Sequence, residues 1–294
     1  MWNLERTGII IEQRSERDDQ GEAAERTTLE NGGDNVDLGI GGKFAIVCGA
    51  SAGLGFAIAD ALAHEGVTVF IAARNAPRLN EAAAQIEQRA PGRVRAVLAD
   101  VTREEGRNAL LAACPNPDIL VNNAAGPPPG NFREWSEEQW VKALGANMLS
   151  PIMFMRAVID GMIERRYGRI LNITSIAVKQ PDPSLGMSNG ARAGLTGFVS
   201  GLAREVARHN VTINNILPGR FDTDRLRATQ QYLATQNRMT LTEVREAATA
   251  AIPASRFGSP PEFGQLCAYL SSAHASFITG QNILIDGGEF RGLL

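Results

Sequence analysis

From Lys43 onward, short apolar runs alternate with segments whose apolar residues recur every three to four positions. Phe44-Ala45-Ile46-Val47-Cys48 reads as a buried strand ending in glycine. Further strands are expected at Val67–Ile71, Val94–Leu98, Ile119–Val121, Ile170–Thr174, Val211–Leu217 and Asn282–Ile285. Between them, Leu79, Ala83, Ile86 and Ala90 share one helix face, and Phe263, Leu266, Cys267 and Leu270 share another. Near-continuous apolar strands alternating with helices imply a parallel sheet covered on both faces. Right-handed crossovers then give an α/β doubly wound sheet of about seven strands, with ligands at the carboxyl ends of the strands. No internal repeat or linker divides the stretch, so residues 38–294 are expected to be one domain.

The first 37 residues have a different pattern. They carry ten acidic residues against four arginines and few large apolar groups, so their net charge is −6 and the remainder carries +3. Such a segment cannot offset its ordering entropy, and a disordered acidic tail over residues 1–37 is expected. The chain of 294 residues, 44% hydrophobic and 21% charged, otherwise fits a globular protein with a sizeable core. A net charge of −3 gives no basic footprint for nucleic acid. No apolar run approaches the roughly 20 residues that span a bilayer. The start has only the short Gly8-Ile9-Ile10-Ile11 run and lacks a basic n-region, so a cytoplasmic location without membrane attachment is expected. Cys48, Cys114 and Cys267 are far apart and form no metal-ligand cluster. They read as small buried hydrophobes in a reducing compartment, and no metal is expected.

Directly after the first strand comes Gly49-Ala50-Ser51-Ala52-Gly53-Leu54-Gly55, opening a helix to about His64. Glycines here serve the turn, the close approach of backbone to a pyrophosphate, and helix–strand packing, while the helix amides face the anion. The spacing resembles that of the short-chain dehydrogenase/reductase family. Other segments match its landmarks in order: Asp100-Val101, Asn122-Asn123-Ala124-Ala125-Gly126, Asn147, Ile170 to Ser175, Pro218-Gly219 with Thr223, Ile278-Thr279-Gly280 and Asp286-Gly287-Gly288. The resemblance covers about residues 40–294 and is nearest to 3-oxoacyl-(acyl-carrier-protein) reductase-like members. It implies a Rossmann-type fold and a dinucleotide held by Gly49, Ser51, Gly53, Leu54, Gly55, Asp100, Val101, Asn123, Ala124, Pro218, Gly219 and Thr223. At the end of the second strand, Ala72-Ala73-Arg74-Asn75 carries no acid to take a ribose 2′-hydroxyl. Arg74 suits a 2′-phosphate, so NADP(H) is expected over NAD(H).

The same resemblance implies a catalytic serine, a tyrosine 13 positions later and a lysine four further on. Counting from Ser175, those positions hold Ser188 and Arg192, and no tyrosine lies between Gly168 and Gln231. A serine hydroxyl is a far poorer acid than a phenol, and arginine does not exchange protons near neutrality. Arginine still stabilises an oxyanion and can meet ribose hydroxyls. The candidate catalytic set is therefore Ser175, Asn147, Ser188, Arg192 and Lys179. The proton comes from Lys179 or from a water ordered by Asn147, Ser175 and Arg192.

Gly126-Pro127-Pro128-Pro129-Gly130 and Pro181-Asp182-Pro183 stiffen the substrate side. A long helical pattern over Arg220 to Ala251 stands in the place of the family's substrate lid, with Arg220, Arg225 and Arg227 available to an anionic group. The expected function is NADP(H)-dependent interconversion of a small-molecule carbonyl and alcohol with unusual catalytic residues. A catalytically silent NADP(H)-binding scaffold or sensor, and a redox-neutral enzyme on the same fold, are the alternatives. Family membership implies a homo-oligomer, a tetramer or dimer, which the apolar Ile152, Phe154 and Val158 permit.

Overall fold

In the computed structural model, which describes residues 36–293, the strands are β1 (Phe44–Cys48), β2 (Thr68–Ala73), β3 (Val94–Leu98), β4 (Ile119–Asn122), β5 (Gly168–Ile173), β6 (Val211–Pro218) and β7 (Asn282–Ile285). They form one parallel sheet in the order β3-β2-β1-β4-β5-β6-β7. The order reverses direction between β1 and β4, which opens a crevice at their carboxyl ends. The helices between them are α1 (Gly53–His64), α2 (Ala76–Arg89), α3 (Glu104–Ala113), α4 (Glu137–Leu144), α5 (Ser150–Glu164), α6 (Gly186–Val206), α7 (Asp224–Asn237), α8 (Leu241–Ala250) and α9 (Pro260–Leu270). The strand boundaries expected from sequence move by one or two residues; β2, for instance, starts at Thr68, leaving Val67 buried in the turn before it. The expected acidic tail lies outside the described residues except for Val36 and Asp37.

The period of two along each strand feeds two cores. On one face, Ala45 and Val47 of β1, Val69 and Ile71 of β2 and Val121 of β4 pack with Ile58 and Leu62 of α1, Ile86 of α2 and Phe263 and Cys267 of α9. On the other, Ile46 and Cys48 of β1, Leu120 of β4 and Ile170 of β5 pack with Leu110 of α3, Phe154 and Met155 of α5 and Leu195 and Val199 of α6. Phe154 and Val158, read from sequence as compatible with a subunit contact, are only 1% and 4% exposed and belong to this second core. The exposed apolar residues on α4 to α6 are instead Val141, Leu149 and Phe198. The three cysteines are buried, and burial pushes the Cys48 and Cys114 thiols up to about 12. They pack as apolar groups and are not poised as nucleophiles.

Four buried or half-buried asparagines cross the sheet side by side. Asn122, Asn172, Asn215 and Asn282 stand in register on β4, β5, β6 and β7. Each side-chain amide donates to the next: Asn122 Nδ2 to Asn172 Oδ1 at 2.9 Å, Asn172 Nδ2 to Asn215 Oδ1 at 3.2 Å, Asn215 Nδ2 to Asn282 Oδ1 at 2.9 Å. Polar groups this deep are tolerated because they satisfy one another. The row locks the lateral spacing of the strands that carry the site.

The lid differs from the single long helical pattern expected from sequence. It is two helices, because Arg238 adopts a left-handed conformation (φ 54°) that ends α7. Thr240 then starts α8 through a reciprocal cap, its hydroxyl accepting from Glu243 N at 3.2 Å while Glu243 accepts from Thr240 N at 2.7 Å. Among the described residues, no helix is long and apolar enough to cross a membrane, and no cluster of three metal-ligating side chains occurs.

Candidate active site

The chain leaves β1 through Gly49 and enters α1 at Gly53, both in the left-handed region (φ 61° and 60°). A Cβ on Gly55 would run into the carbonyl oxygen of Gly49, and one on Gly49 into the backbone of Asn123. Asn123 braces this turn from the end of β4, its Nδ2 donating to the carbonyls of Cys48 (3.3 Å) and Gly49 (3.2 Å). The cap residue of α1, Ala52, has no side chain to bond the first amides of the helix. The helices α2, α4, α7 and α8 each have that bond from Asn75, Ser136, Thr223 or Thr240. The bare amides of α1, the glycine turn and the dipole together form a cradle of the kind that takes a phosphate group. Thr223 overhangs the cradle, with its methyl 3.4 Å from where a Gly53 side chain would begin. Gly219 lies against Asp286 at the start of the same overhang.

Across the β2 and β3 ends, Arg74 is exposed and near enough to act on Asp100. Burial raises the Asp100 carboxyl. Hydrogen bonds from Thr102 Oγ1 (2.8 Å) and Thr102 N (3.0 Å), together with the Arg74 and Arg103 charges, outweigh it and hold the pKa below the usual carboxylate range. Val101 is tied to the head of α5, its carbonyl accepting from Ser150 Oγ at 2.6 Å.

Asn147 is 3% exposed and sits in a single π-helical turn, Gly145–Leu149, between α4 and α5. Its Nδ2 reaches the Ala143 carbonyl at 3.4 Å, while its Oδ1 is buried without a hydrogen-bond partner. A widened turn of this kind often marks a functional position, and a lone buried acceptor calls for a water or ligand donor. Ser175 follows β5 and caps a short 3-10 turn, its Oγ accepting from Ala177 N at 3.1 Å.

On α6, Ser188 and Arg192 are one turn apart and nearly buried, 7% and 8% exposed. Arg192 Nε donates to Ser188 Oγ at 3.2 Å, Nη1 to the Ile173 carbonyl at 2.6 Å and Nη2 to the Ala124 carbonyl at 3.3 Å. The guanidinium thus joins α6 to the ends of both β4 and β5. Burial, then the neighbouring Arg225 charge, lowers its pKa to about 10, so it remains charged at neutral pH.

Gly126 stands over this pair: a Cβ there would lie 3.5 Å from Arg192 Nη2, 3.6 Å from Ser188 Oγ and 3.7 Å from Arg225 Nη2. The loops at Gly126–Gly130 and Pro181–Pro183 are joined where Gly130 N donates to the Ser184 carbonyl at 2.9 Å. Trp135 packs so closely on Gly130 and Gly186 that neither has room for a side chain.

Lys179, the sequence candidate for proton transfer, directs its ammonium over the Phe290 ring, 5.6 Å from the centre, toward the C-terminal segment. Of the lid arginines, Arg220 pairs with Glu289 at 3.1 Å, and Arg227 with Asp222 and Asp224 at 3.1 and 3.0 Å. Arg225 alone of the three turns to Gly126, its Nη2 at 3.5 Å from that carbonyl. Tyr167 donates to the Ser271 carbonyl at 2.9 Å near the opposite end of β5, and Tyr232 and Tyr269 are exposed. Sequence reasoning missed the brace role of Asn123 and the asparagine row. Asparagine recurring in apolar strands was the available signal, but only strand register aligns it.

The seven-stranded parallel sheet, with a glycine turn and a helix N-terminus at its switch point, defines a Rossmann-type doubly wound α/β fold. Residues 49–289 match the family model described as enoyl-(acyl carrier protein) reductase. The chain is 33% identical over 258 residues to a 3-oxoacyl-(acyl-carrier-protein) reductase of Vibrio cholerae, covering 86% of this chain and 99% of that protein. It is 35% identical over 252 residues to nodulation protein G of Azospirillum brasilense, covering 84% and 97%. The L-sorbose reductase of Gluconobacter frateurii, solved with NADPH and L-sorbose, superposes with a TM-score of 0.83 at 31% identity, covering 87% of this chain and all of that one. The chain belongs to the short-chain dehydrogenase/reductase family.

Proposed function

We propose that this protein is an NADP(H)-dependent oxidoreductase interconverting a carbonyl and an alcohol, resembling 3-oxoacyl reductases, with Ser188 and Arg192 in place of the family's tyrosine and lysine. The observation that carries the reading is the glycine cradle with bare helix amides, set one strand away from a buried cation and hydroxyl. When bound, the nicotinamide supplies or accepts a hydride at the substrate carbon. Gly49, Ser51, Gly53, Leu54 and Gly55 would hold the pyrophosphate, with Asp100 and Val101 toward the adenine. Asn123, Ala124, Pro218, Gly219 and Thr223 would face the nicotinamide side. Arg74 would take the 2′-phosphate, since no acid stands at the end of β2 to prefer a 2′-hydroxyl.

On the substrate side, Ser175 and Arg192 polarise the carbonyl oxygen and stabilise the negative charge that develops there during reduction. Arg192 does not release its proton at neutral pH. The oxygen is protonated by Lys179 after a movement of its side chain off Phe290, or by a water held on the free Asn147 Oδ1. That unpartnered acceptor favours the water. NADP(H)-bound reductases among the structural relatives support the cofactor class. Oligomerisation through the exposed Val141, Leu149 and Phe198 surface belongs to the same reading.

Calorimetric titration with NADPH and NADH tests it. Micromolar NADPH binding, weakened at least tenfold in Arg74→Gln while NADH binding is unchanged, is the expected result. Failure to bind either nucleotide would overturn it. NADPH binding without turnover of any carbonyl would favour the scaffold reading, which the paired Ser188 and Arg192 motivate.

A further inference from the structure

The described residues include two deeply buried arginines, and they are satisfied differently. Arg169, 1% exposed, directs four hydrogen bonds to protein oxygens: Ser272 O, Gly168 O, Asn210 O and Asn210 Oδ1. Tyr167 stacks on it at 4.4 Å. Its role is structural and closed. Arg192 has the same five N–H donors, and three find protein acceptors: Ser188 Oγ, Ile173 O and Ala124 O. Among the described residues, no carboxylate lies within 4.0 Å of Arg192 or of Arg225.

Despite like charge, Arg225 reaches from the first turn of α7 to the same point. The Nη2 atoms of both guanidiniums lie within 3.7 Å of the spot where a Gly126 side chain would begin, with Ser188 Oγ at 3.6 Å. Only a glycine leaves that spot open. Two cations and a hydroxyl around one point, with no carboxylate within 4.0 Å of either cation among the described residues, form a charged site without its counter-charge. The two neighbouring lid arginines have acidic partners, so the lid does not simply lack acids. Burial of Arg192, then the charge of the nearby exposed Arg225, lowers the Arg192 pKa, as expected of a buried cation with a second cation beside it.

We propose that Arg192 and Arg225 form a two-armed anion site over Ser188, and that the substrate is a short oxo acid whose carboxylate binds between them. Arg192 is the fixed arm, held by two strand-end carbonyls; Arg225 is the lid arm, exposed and held here by one long hydrogen bond to the Gly126 carbonyl. The proposal rests on the reductase reading and narrows its substrate class from carbonyl compounds in general to carboxylates. Arg225, with one donor bonded to protein, can present planar donors that match a carboxylate two at a time, while the two remaining Arg192 donors are divided between the carboxylate and the carbonyl oxygen.

The test is calorimetric titration of the NADPH-loaded full chain with two acid and ester pairs: pyruvate and methyl pyruvate, acetoacetate and methyl acetoacetate. At least one acid is expected to bind tenfold or more tighter than its methyl ester. Arg225→Gln is expected to remove that difference and leave NADPH affinity unchanged. Arg227→Gln, two residues further along α7 and paired with acids, is expected to keep the difference. Equal binding of acid and ester in both pairs, or absence of binding by all four compounds, overturns the proposal. So does a preference that survives in Arg225→Gln, or one lost equally in Arg227→Gln. A separate NADPH titration distinguishes the two levels. Normal nucleotide binding with no acid preference sinks the anion site alone, whereas loss of nucleotide binding sinks the reductase reading beneath it.

Discussion

Arg192 Nε lies 3.2 Å from the hydroxyl oxygen of Ser188, one turn earlier on α6, and donates to it. The contact makes the two side chains one unit. Because the Ser188 oxygen accepts in this contact, its own O–H is left to donate to another partner. Neither residue can be replaced without disturbing the other.

That dependence predicts an asymmetric response at position 192. Arg192→Ala leaves the Ile173 and Ala124 carbonyls and the Ser188 hydroxyl without their donor. Each buried acceptor left unmet costs about 1–3 kcal/mol. The three together set an upper range of about 3–9 kcal/mol, and because water entering the cavity restores part of it, a loss of about 2–5 kcal/mol is expected from urea midpoints at pH 7. Arg192→Lys should fall between this variant and the parent. Equal stability of Arg192→Ala and parent would show that water already serves these carbonyls.

A second expectation concerns chemistry. The double substitution Ser188→Tyr with Arg192→Lys supplies a phenol whose pKa a nearby ammonium can lower, giving a better proton donor at neutral pH. NADPH oxidation with a carbonyl substrate should rise at least tenfold, a gain within the usual range for general acid catalysis. An unchanged rate in a folded double variant would place the limiting step elsewhere.

The glycine cradle yields a sharper test. A side chain at position 55 has no room against Gly49 O and Asn123 Nδ2. Gly55→Ala should therefore weaken NADPH binding by more than tenfold in calorimetry, with a lowered thermal midpoint. Unaltered NADPH affinity in this variant would separate the turn from nucleotide binding.

Asn172 stands in the middle of the asparagine row, donating to Asn215 and accepting from Asn122. Asn172→Ala orphans a group on each side, so a loss of about 2–4 kcal/mol is expected from chemical denaturation. Lys43→Ala, which removes a half-exposed ammonium 4.0 Å from Asp118, should change stability by less than about 1 kcal/mol.

Acid sensitivity should trace partly to the Arg256–Glu262 pair. Hydrogen bonds from Arg256, then from Ser259 N, hold the Glu262 carboxyl down to about 2, against an ordinary 4.5. A carboxyl with a depressed folded-state pKa stabilises the fold fully above the unfolded value. That contribution fades as pH falls from about 4.5 toward about 2. Because the pair is exposed, the effect is small. Arg256→Gln should flatten the decline in urea midpoint between pH 5 and pH 2, and an identical slope in parent and variant would reject the assignment.

Much of the fold was open to reading because it depends on local order. Apolar strands, the glycine turn and the helix faces are each written in consecutive residues, and the parallel sheet follows from their alternation. What escaped depends on distance or register. The row of Asn122, Asn172, Asn215 and Asn282 exists only once four strands are aligned. The approach of Arg225 to Gly126 joins residues from the lid and from the loop after β4, with the lid helix split at Arg238 by a left-handed residue that no periodicity announces. Periodicity alone does not place Phe154 and Val158 in the core, because a helix packed on a sheet and one packed on a partner subunit show the same apolar spacing. The place of Lys179, over Phe290, is set by a C-terminal segment far away in the chain.

The asparagine row bears on how the chemistry of such a frame can change. It ties β4 to β7 side by side through amide pairs that bond neither the glycine turn nor the position-188 side chain. A residue at the reacting centre can then be exchanged while the strand ends keep their places, as a tool is changed in a fixed chuck. A new reaction on this scaffold requires rewriting a few side chains on α6 and the lid, with the sheet left untouched.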